Sequence, residues 1–212
     1  MDHDSLELRS TVTADGTLRL QLEPVTLPEP GPGQLLVRIE AAPINPSDLA
    51  LMFGPADMAT LAKDGAGLTA RIAERAMPAM RARIGQSLPA GNEGAGTVIA
   101  AGPDQQQLVG RRVAMLGGAM YARLRLIAAR DCLSASAEAG AALFVNPLTA
   151  LGFVETMRAE GHSAIVHAPA ASNLGQMLVR ICRADGIGLV NIVRSPEQVA
   201  LLRGRGAQQG RL

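Results

Sequence analysis

The stretch from Ser163 to Leu178 reads SAIVHAPAASNLGQML, which is the pattern of a short strand, a tight loop and the beginning of a helix. The strand is the apolar run SAIVHA, and PAASN forms the loop. Leu174, Leu178 and Ile181 then fall on one stripe of a helix that Gly186 ends. This stretch therefore predicts one strand–helix unit of an α/β sheet.

The flanking residues repeat the same pattern. Upstream, a helix is predicted from near Pro147 to Ala159. Downstream, a second apolar strand covers 188–193, and Ser195-Pro196-Glu197 begins another helix with an N-cap, a proline and an acid in the first turn. Alternating strands and helices with short connections predict the opening of a parallel, doubly wound sheet over 135–212.

Residues 1–134 have a different texture, typical of a small β-barrel or sandwich. Gln34 to Ile44 (QLLVRIEAAPI) alternates along its length after the turn-forming run PEPGPG. Short apolar runs follow at 96–101, 112–116 and 121–128, separated by glycines. The predicted fold class is mixed: a β-barrel domain followed by a partial α/β domain.

One segment near 56–87 interrupts the barrel with apolar residues at helical spacing, namely Leu68, Ile72, Ala76, Met80 and Ile84. Pro78 lies inside this segment, so it predicts a helical insertion made of two short helices. The insertion could be a lid over a substrate cleft or a surface element used in association.

Composition excludes several classes of function. The net charge is +1, the basic residues are dispersed, and aromatic residues make up only 2%, which argues against a nucleic-acid partner. The N-terminus MDHDSLELRS lacks the pattern of a secretory signal, and no apolar run is long enough to span a membrane. Cys132 and Cys182 have no metal or redox spacing, so we expect two buried, reduced thiols in a cytoplasmic protein.

The α/β part contains only two predicted strands, whereas a doubly wound nucleotide domain has about six. We therefore expect a chain that is truncated in its second domain. This leaves a non-catalytic remnant or interaction module as an alternative to an enzyme.

Three motifs in a fixed order carry a family resemblance. They are INPSD at Ile44–Asp48, LPAGNEGAG at Leu88–Gly96, and NPLTA at Asn146–Ala150 ahead of the strand–helix stretch. From about residue 17 to 207 the chain resembles the zinc-independent quinone oxidoreductase and enoyl reductase branch of the medium-chain dehydrogenase/reductase superfamily. The resemblance implies a GroES-like barrel, a Rossmann domain, and hydride transfer from NADPH to a quinone or an activated carbon–carbon double bond of a small-molecule substrate. It also suggests a homodimer.

The same resemblance predicts that no metal is bound. Zinc-dependent relatives have a cysteine and a histidine at the positions that here look like Asn45 and Asn92, and an amide is a poor zinc ligand. The four-cysteine structural zinc lobe is absent, and the chain has only three histidines.

The predicted cofactor loop departs from the glycine-rich pattern of relatives. It contains Ala171, Ser172, Asn173, Leu174 and Gly175, of which only the last keeps a family glycine. Small residues at a helix N-terminus still offer amide donors to a pyrophosphate, which makes these five residues cofactor-binding candidates. The alternative interpretation is an ordinary capped helix.

Arg194 follows the second predicted strand, where NAD-preferring relatives usually have an acid that binds the adenine ribose. An arginine there can pair with the 2′-phosphate of NADPH. Ser195 is a second candidate for that phosphate. The alternatives are a solvated arginine at a strand end and a serine that serves only as N-cap.

The catalytic residues stay unassigned. By resemblance, Asn45 and Thr149 would line the nicotinamide pocket, and Ser47 and Asp48 would shape the adjacent turn, although Asp48 could equally be structural. Related enoyl reductases have a tyrosine proton donor soon after the first motif, but that stretch reads LMFGPADM here and the only tyrosine is Tyr121. Two histidines, His162 and His167, flank the first α/β strand, and we expect structural roles for both.

Overall fold

The computed structural model describes residues 2–136 and 140–207, together with the backbone of 210–211. The chain divides into two compact units, Met1–Ala142 and Leu143–Leu212. The division therefore lies after residue 142 and not after residue 134 as predicted. Gly140 shows why, because a Cβ built on it would approach the side chains of Ala95 and Ala114 in the first unit to 3.1 Å.

The first unit consists of two five-stranded antiparallel sheets. The first sheet has the order β4-β5-β2-β1-β6, and the second has the order β10-β8-β7-β3-β9. The strands are β1 His3–Val12, β2 Thr17–Leu27, β3 Gln34–Ala41, β4 Ala56–Asp64, β5 Gly67–Ile72, β6 Ser87–Pro89, β7 Glu93–Ala101, β8 Arg112–Leu116, β9 Leu124–Ala128 and β10 Cys132–Ser134.

The core of the second sheet explains the strand predictions. Leu35 and Val37 of β3 are fully buried and pack with Val98 of β7 and Met115 of β8. These residues come from the runs predicted as strands, and each run forms a strand. The prediction of a mixed fold, with a β domain before an α/β domain, is confirmed.

The predicted helical insertion near 56–87 is wrong over most of its length. Residues 56–72 form the β4–β5 hairpin, whose second strand pairs with β2 so that Leu68 lies opposite Leu20. Pairing with an existing sheet edge satisfies the backbone of this segment, and it overrides the helical spacing of the apolar residues. Only 74–83 are helical. They form the four-residue helix α2 (Met77–Met80), with one 3-10 turn before it and one after it.

The short helix α1 (Pro46–Phe53) lies between β3 and this hairpin, and polar contacts hold its C-terminal end. The Ser10 hydroxyl donates to the carbonyl of Met52 at 2.9 Å. The Arg83 guanidinium donates to the carbonyl of Leu51 at 3.0 Å and to Ser10 Oγ at 3.2 Å. Such donors satisfy carbonyls that the helix itself leaves without partners.

The second unit is an α/β arrangement with a parallel three-stranded sheet of order β11-β12-β13. Its strands are β11 Ala164–His167, β12 Gly188–Ile192 and β13 Gly210–Arg211, and its helices are α3 Val145–Ala159, α4 Asn173–Ala184 and α5 Pro196–Gly204. Five of these elements were predicted. The third strand was not, because two residues are too few to produce a periodic pattern.

Helices α3 and α4 pack on β11 and β12 through a core that includes Val154, Leu178 and Cys182. A second core joins Ala170 of the loop after β11, Val193 just after β12, and Leu202 of α5. In the part of the chain that the structure describes, no helix has the length and apolar character needed to cross a membrane.

Candidate functional site

The N-terminus of α1 joins the first two sequence motifs. Asn45 is the N-cap residue, Pro46 begins the helix, and Asp48 occupies the third helical position. The Asp48 carboxylate is fully buried and accepts hydrogen bonds from the backbone N–H of Asn45 at 2.8 Å and of Asn92 at 2.9 Å. One carboxylate therefore connects the INPSD motif to the LPAGNEGAG motif.

The Asn45 side chain is directed to a second buried carboxylate. Asn45 is only 3% exposed, and its Nδ2 donates to Oε1 of the fully buried Glu93 at 3.0 Å. Next to it, Asn92 Nδ2 donates to Ser47 Oγ at 3.0 Å. Glu93 was not among the predicted site residues, although an acid inside the otherwise apolar and glycine-rich LPAGNEGAG is an available signal.

The hydroxyl of Tyr121 donates a hydrogen bond of 2.7 Å to the carbonyl of Pro43, which lies 78 residues earlier in the chain. Burial raises the pKa of Tyr121 far above its ordinary value, and the nearby carboxylates of Asp48 and Glu93 add to the shift. The phenol therefore stays protonated. No local pattern in the sequence indicates this contact.

Asn45 and Asn92, which the resemblance predicts to replace the zinc ligands of other relatives, donate hydrogen bonds to Glu93 and Ser47 respectively. Within 2–136 and 140–207, no three His, Cys, Asp or Glu side chains are grouped so that they could hold a metal ion.

In the second unit, the loop between β11 and α4 is tightly closed. Ser172 is the N-cap of α4, and its Oγ accepts a hydrogen bond from the backbone N–H of Gly175 at 3.1 Å. A Cβ on Gly175 would lie 2.1 Å from the carbonyl oxygen of Ala170. Only glycine lets the first turn of α4 approach the loop this closely.

This loop has the properties of a phosphate cradle. The first backbone N–H groups of a helix have no partner inside the helix, and the helix dipole favours an anion beside them. The side chains of Ala170 and Ala171 are small, and Asn173 is exposed. The backbone N–H of Ala170 donates to the carbonyl of Ile192 at 3.1 Å, which connects the loop to the end of β12.

Arg194 stands just beyond that same end of β12. Its backbone N–H donates to Gln198 Oε1 at 2.8 Å, and its side chain is exposed. Within the described residues the guanidinium has no hydrogen bond or ion pair to a protein group. It is therefore available to an anionic ligand.

Ser195 is the N-cap of α5, as predicted. Its Oγ accepts a hydrogen bond from the backbone N–H of Gln198 at 3.5 Å. A hydrogen bond from the Ser195 side chain also lowers the pKa of Glu197. The hydroxyl is thus used within the first turn of the helix.

The remaining predicted residues are more dispersed. Thr149 is exposed on α3, and its Oγ1 donates to the carbonyl of Val145 at 2.6 Å. His162 is exposed beside Glu160. His167 is 8% exposed, with its ring 5.7 Å from that of Phe153, and burial lowers its pKa. The structure therefore brings together the 171–175 loop and Arg194, while Asn45 belongs to the first unit.

The chain is similar in sequence and structure to known proteins. The family model of the alcohol dehydrogenase GroES-like domain matches residues 31–170. The chain is 32% identical over 176 residues to the human synaptic vesicle membrane protein VAT-1 homolog, covering 78% of the chain and 38% of that protein. It is 26% identical over 192 residues to a mitochondrial enoyl-[acyl-carrier-protein] reductase of Caenorhabditis elegans, covering 87% of the chain and 49% of that protein.

A solved structure described as an NADPH:quinone reductase of Mesorhizobium loti matches with a TM-score of 0.67 at 28% identity, over 99% of the chain and 59% of that protein. The chain thus spans about half the length of the relatives it matches. It belongs to the alcohol dehydrogenase GroES-like domain family, in the quinone oxidoreductase and enoyl reductase branch of the medium-chain dehydrogenase/reductase superfamily.

Proposed function

We propose that this chain is part of an oxidoreductase that transfers a hydride from NADPH to a quinone or to an activated carbon–carbon double bond, without a metal ion. The observation that carries this proposal is the exposed guanidinium of Arg194, which has no partner among the described residues, beside the closed loop that precedes α4. An exposed arginine next to the main-chain N–H groups at the start of a helix suits a ligand that carries phosphate groups.

Each predicted cofactor-binding residue has a role in this proposal. The backbone of Ala171, Ser172, Asn173, Leu174 and Gly175 would hold the pyrophosphate, and Gly175 permits the close approach of helix and loop. Arg194 would pair with the 2′-phosphate, with Ser195 shaping the adjacent helix start. For Asn45 and for Thr149, a place beside the nicotinamide stays a prediction of the family resemblance. NADPH, when bound, supplies the hydride, and the protein supplies binding and orientation.

The comparisons support the choice of cofactor and substrate class. The matched Mesorhizobium loti protein is described by its use of NADPH and a quinone, and the matched nematode protein by enoyl reduction. Since the chain covers about half of these proteins, the electron acceptor and a homodimeric state remain predictions for it.

The proton that follows the hydride has no side-chain donor in this proposal. Tyr121 is a poor candidate, because its hydroxyl already donates to the carbonyl of Pro43 and two buried carboxylates oppose its ionisation. The hydroquinone anion or the enolate that hydride addition would form would take its proton from water.

The test is a titration of the purified protein with NADPH, followed by cofactor fluorescence. We expect saturable binding, and Arg194→Ala should raise the Kd for NADPH at least about tenfold, since a charge-assisted hydrogen bond is worth roughly 1.5–3 kcal/mol. The Kd for NADH should change little. Arg180→Ala is the matched control, because Arg180 is an exposed arginine on α4 with no ion pair among the described residues.

The outcomes separate the proposal from its alternative. Absence of saturable NADPH binding by the folded protein would contradict the cofactor assignment. Binding without oxidation of NADPH by any quinone or enoyl thioester would instead support the non-catalytic alternative.

A further inference from the structure

Gln198 has an unusual position in the first turn of α5. With Ser195 as N-cap, Gln198 is the third helical residue, the place where a capping box has a glutamine or glutamate. In a capping box this side chain returns to the backbone N–H of the N-cap residue. Here its Oε1 instead accepts from the backbone N–H of Arg194, one residue earlier, at 2.8 Å.

This hydrogen bond fixes the backbone of the residue that is available to an anion. The Arg194 N–H has one acceptor, the Gln198 amide, while the Arg194 guanidinium has none among the described residues. The backbone N–H of Gln198 in turn donates to Ser195 Oγ. Gln198 thereby ties Arg194 and Ser195 to the same helical turn.

We infer that Gln198 is a positioning residue that sets the preference for NADPH over NADH, by holding the Arg194 backbone with an uncharged acceptor. This inference rests on the proposed function. The absence of charge is essential to it. A carboxylate at the same place would keep the hydrogen bond, but it would compete for the guanidinium and repel a 2′-phosphate.

Two substitutions separate these effects. Gln198→Glu retains an acceptor for the Arg194 N–H, and an acid in the first turn is favourable to the helix dipole. Gln198→Ala removes the acceptor and adds no charge. The measurements are the Kd values of NADPH and NADH and the thermal unfolding midpoint of each variant.

For Gln198→Glu we expect an unchanged or higher unfolding midpoint, a Kd for NADPH raised about tenfold, and an unchanged or lower Kd for NADH. For Gln198→Ala we expect a lower midpoint and a Kd for NADPH raised a few-fold, because Arg194 is no longer held. Both variants should therefore bind NADPH more weakly, but the loss should be larger in Gln198→Glu, which keeps its stability, than in Gln198→Ala, which does not.

Ala200→Glu is the charge control, because it adds the same carboxylate to an exposed position of the same helix. It should leave the ratio of the two Kd values near that of the parent protein. A ratio that stays constant in both Gln198 variants would overturn the inference, as would an equal change in Ala200→Glu. If Arg194→Ala changes the NADPH Kd while the Gln198 variants do not, the inference fails and the proposed function stands; loss of NADPH binding in the parent defeats the proposed function itself.

Discussion

The polar groups around α1 and those around the 171–175 loop differ in what they contact. At α1, the carboxylates of Asp48 and Glu93 are fully buried, and their hydrogen bonds go to other protein groups. Beside the loop, Arg194 is exposed and its guanidinium has no protein partner in the described part of the chain. The polar groups at α1 hold two motifs together, whereas the Arg194 side chain is available to bind a ligand.

A sequence motif can therefore contribute either to the fold or to ligand binding. Both regions contain residues that resemble a family signature, yet a buried and satisfied polar group contributes to a fold, while an exposed and unpaired one can contribute to binding. Substitutions should therefore have different consequences in the two regions. Changes at α1 should lower stability, and changes at Arg194 should lower affinity.

The largest expected effect is at Gly175, because this residue is needed both for the packing of α4 against the loop and for the proposed cofactor site. Gly175→Ala places a Cβ 2.1 Å from the Ala170 carbonyl oxygen, so the loop or α4 must move. We expect a loss of about 3 kcal/mol in unfolding free energy together with loss of NADPH binding. Urea unfolding followed by circular dichroism measures the first effect, and cofactor titration measures the second.

Gly152→Ala serves as the control for Gly175→Ala, because nothing lies within 4 Å of a Cβ built on Gly152 inside α3. That substitution should stabilise the protein by about 0.5–1 kcal/mol through helix propensity. If Gly175→Ala behaved like Gly152→Ala, the tight contact between loop and helix would be disproved.

The next effect is at Asp48, where we expect a change of stability alone. Asp48→Asn replaces one of two accepting oxygens with an NH2 group, which would face a backbone N–H donor in a fully buried position. The cost should be about 2–3 kcal/mol. Hydrogen–deuterium exchange should show faster exchange in α1 and near Asn92, with the peptides of α4 and α5 unchanged.

Asp64→Asn is the matched control, because Asp64 is exposed at the end of β4. It should change the unfolding free energy by less than about 0.5 kcal/mol. An equal and small effect of both substitutions would show that the Asp48 carboxylate does not hold the two motifs together.

The contrast between the regions also explains what the sequence predicts and what it does not. Strands such as Arg112–Leu116 and the SAIVHA strand are local apolar patterns, so they could be predicted. The Asn45–Glu93 and Pro43–Tyr121 contacts join residues 48 and 78 positions apart, and no local pattern records them. The hairpin at 56–72 was missed for a related reason, since its strand identity comes from pairing with β2.

The candidate site divides in the same way. Arg194, Ser195 and the 171–175 loop follow their strands directly in the chain, so strand–helix alternation alone places them at one sheet edge. The Gln198 contact with the Arg194 backbone was not predicted, because Ser195 and Gln198 fit the capping-box pattern that would direct Gln198 one residue further along the chain.

The smallest expected effect on stability is at Arg194, and measuring it tests the difference between the two regions most directly. Because the guanidinium is exposed and has no partner within the described residues, Arg194→Ala removes no protein–protein contact of that side chain. The Gln198 hydrogen bond goes to the backbone N–H, which alanine retains. The unfolding free energy should therefore stay within about 0.5 kcal/mol of the parent value in urea, although the affinity for NADPH falls. A loss of more than about 1 kcal/mol would mean that Arg194 supports the fold. The proposed difference between the buried, hydrogen-bonded groups at α1 and the exposed arginine at the end of β12 would then be disproved.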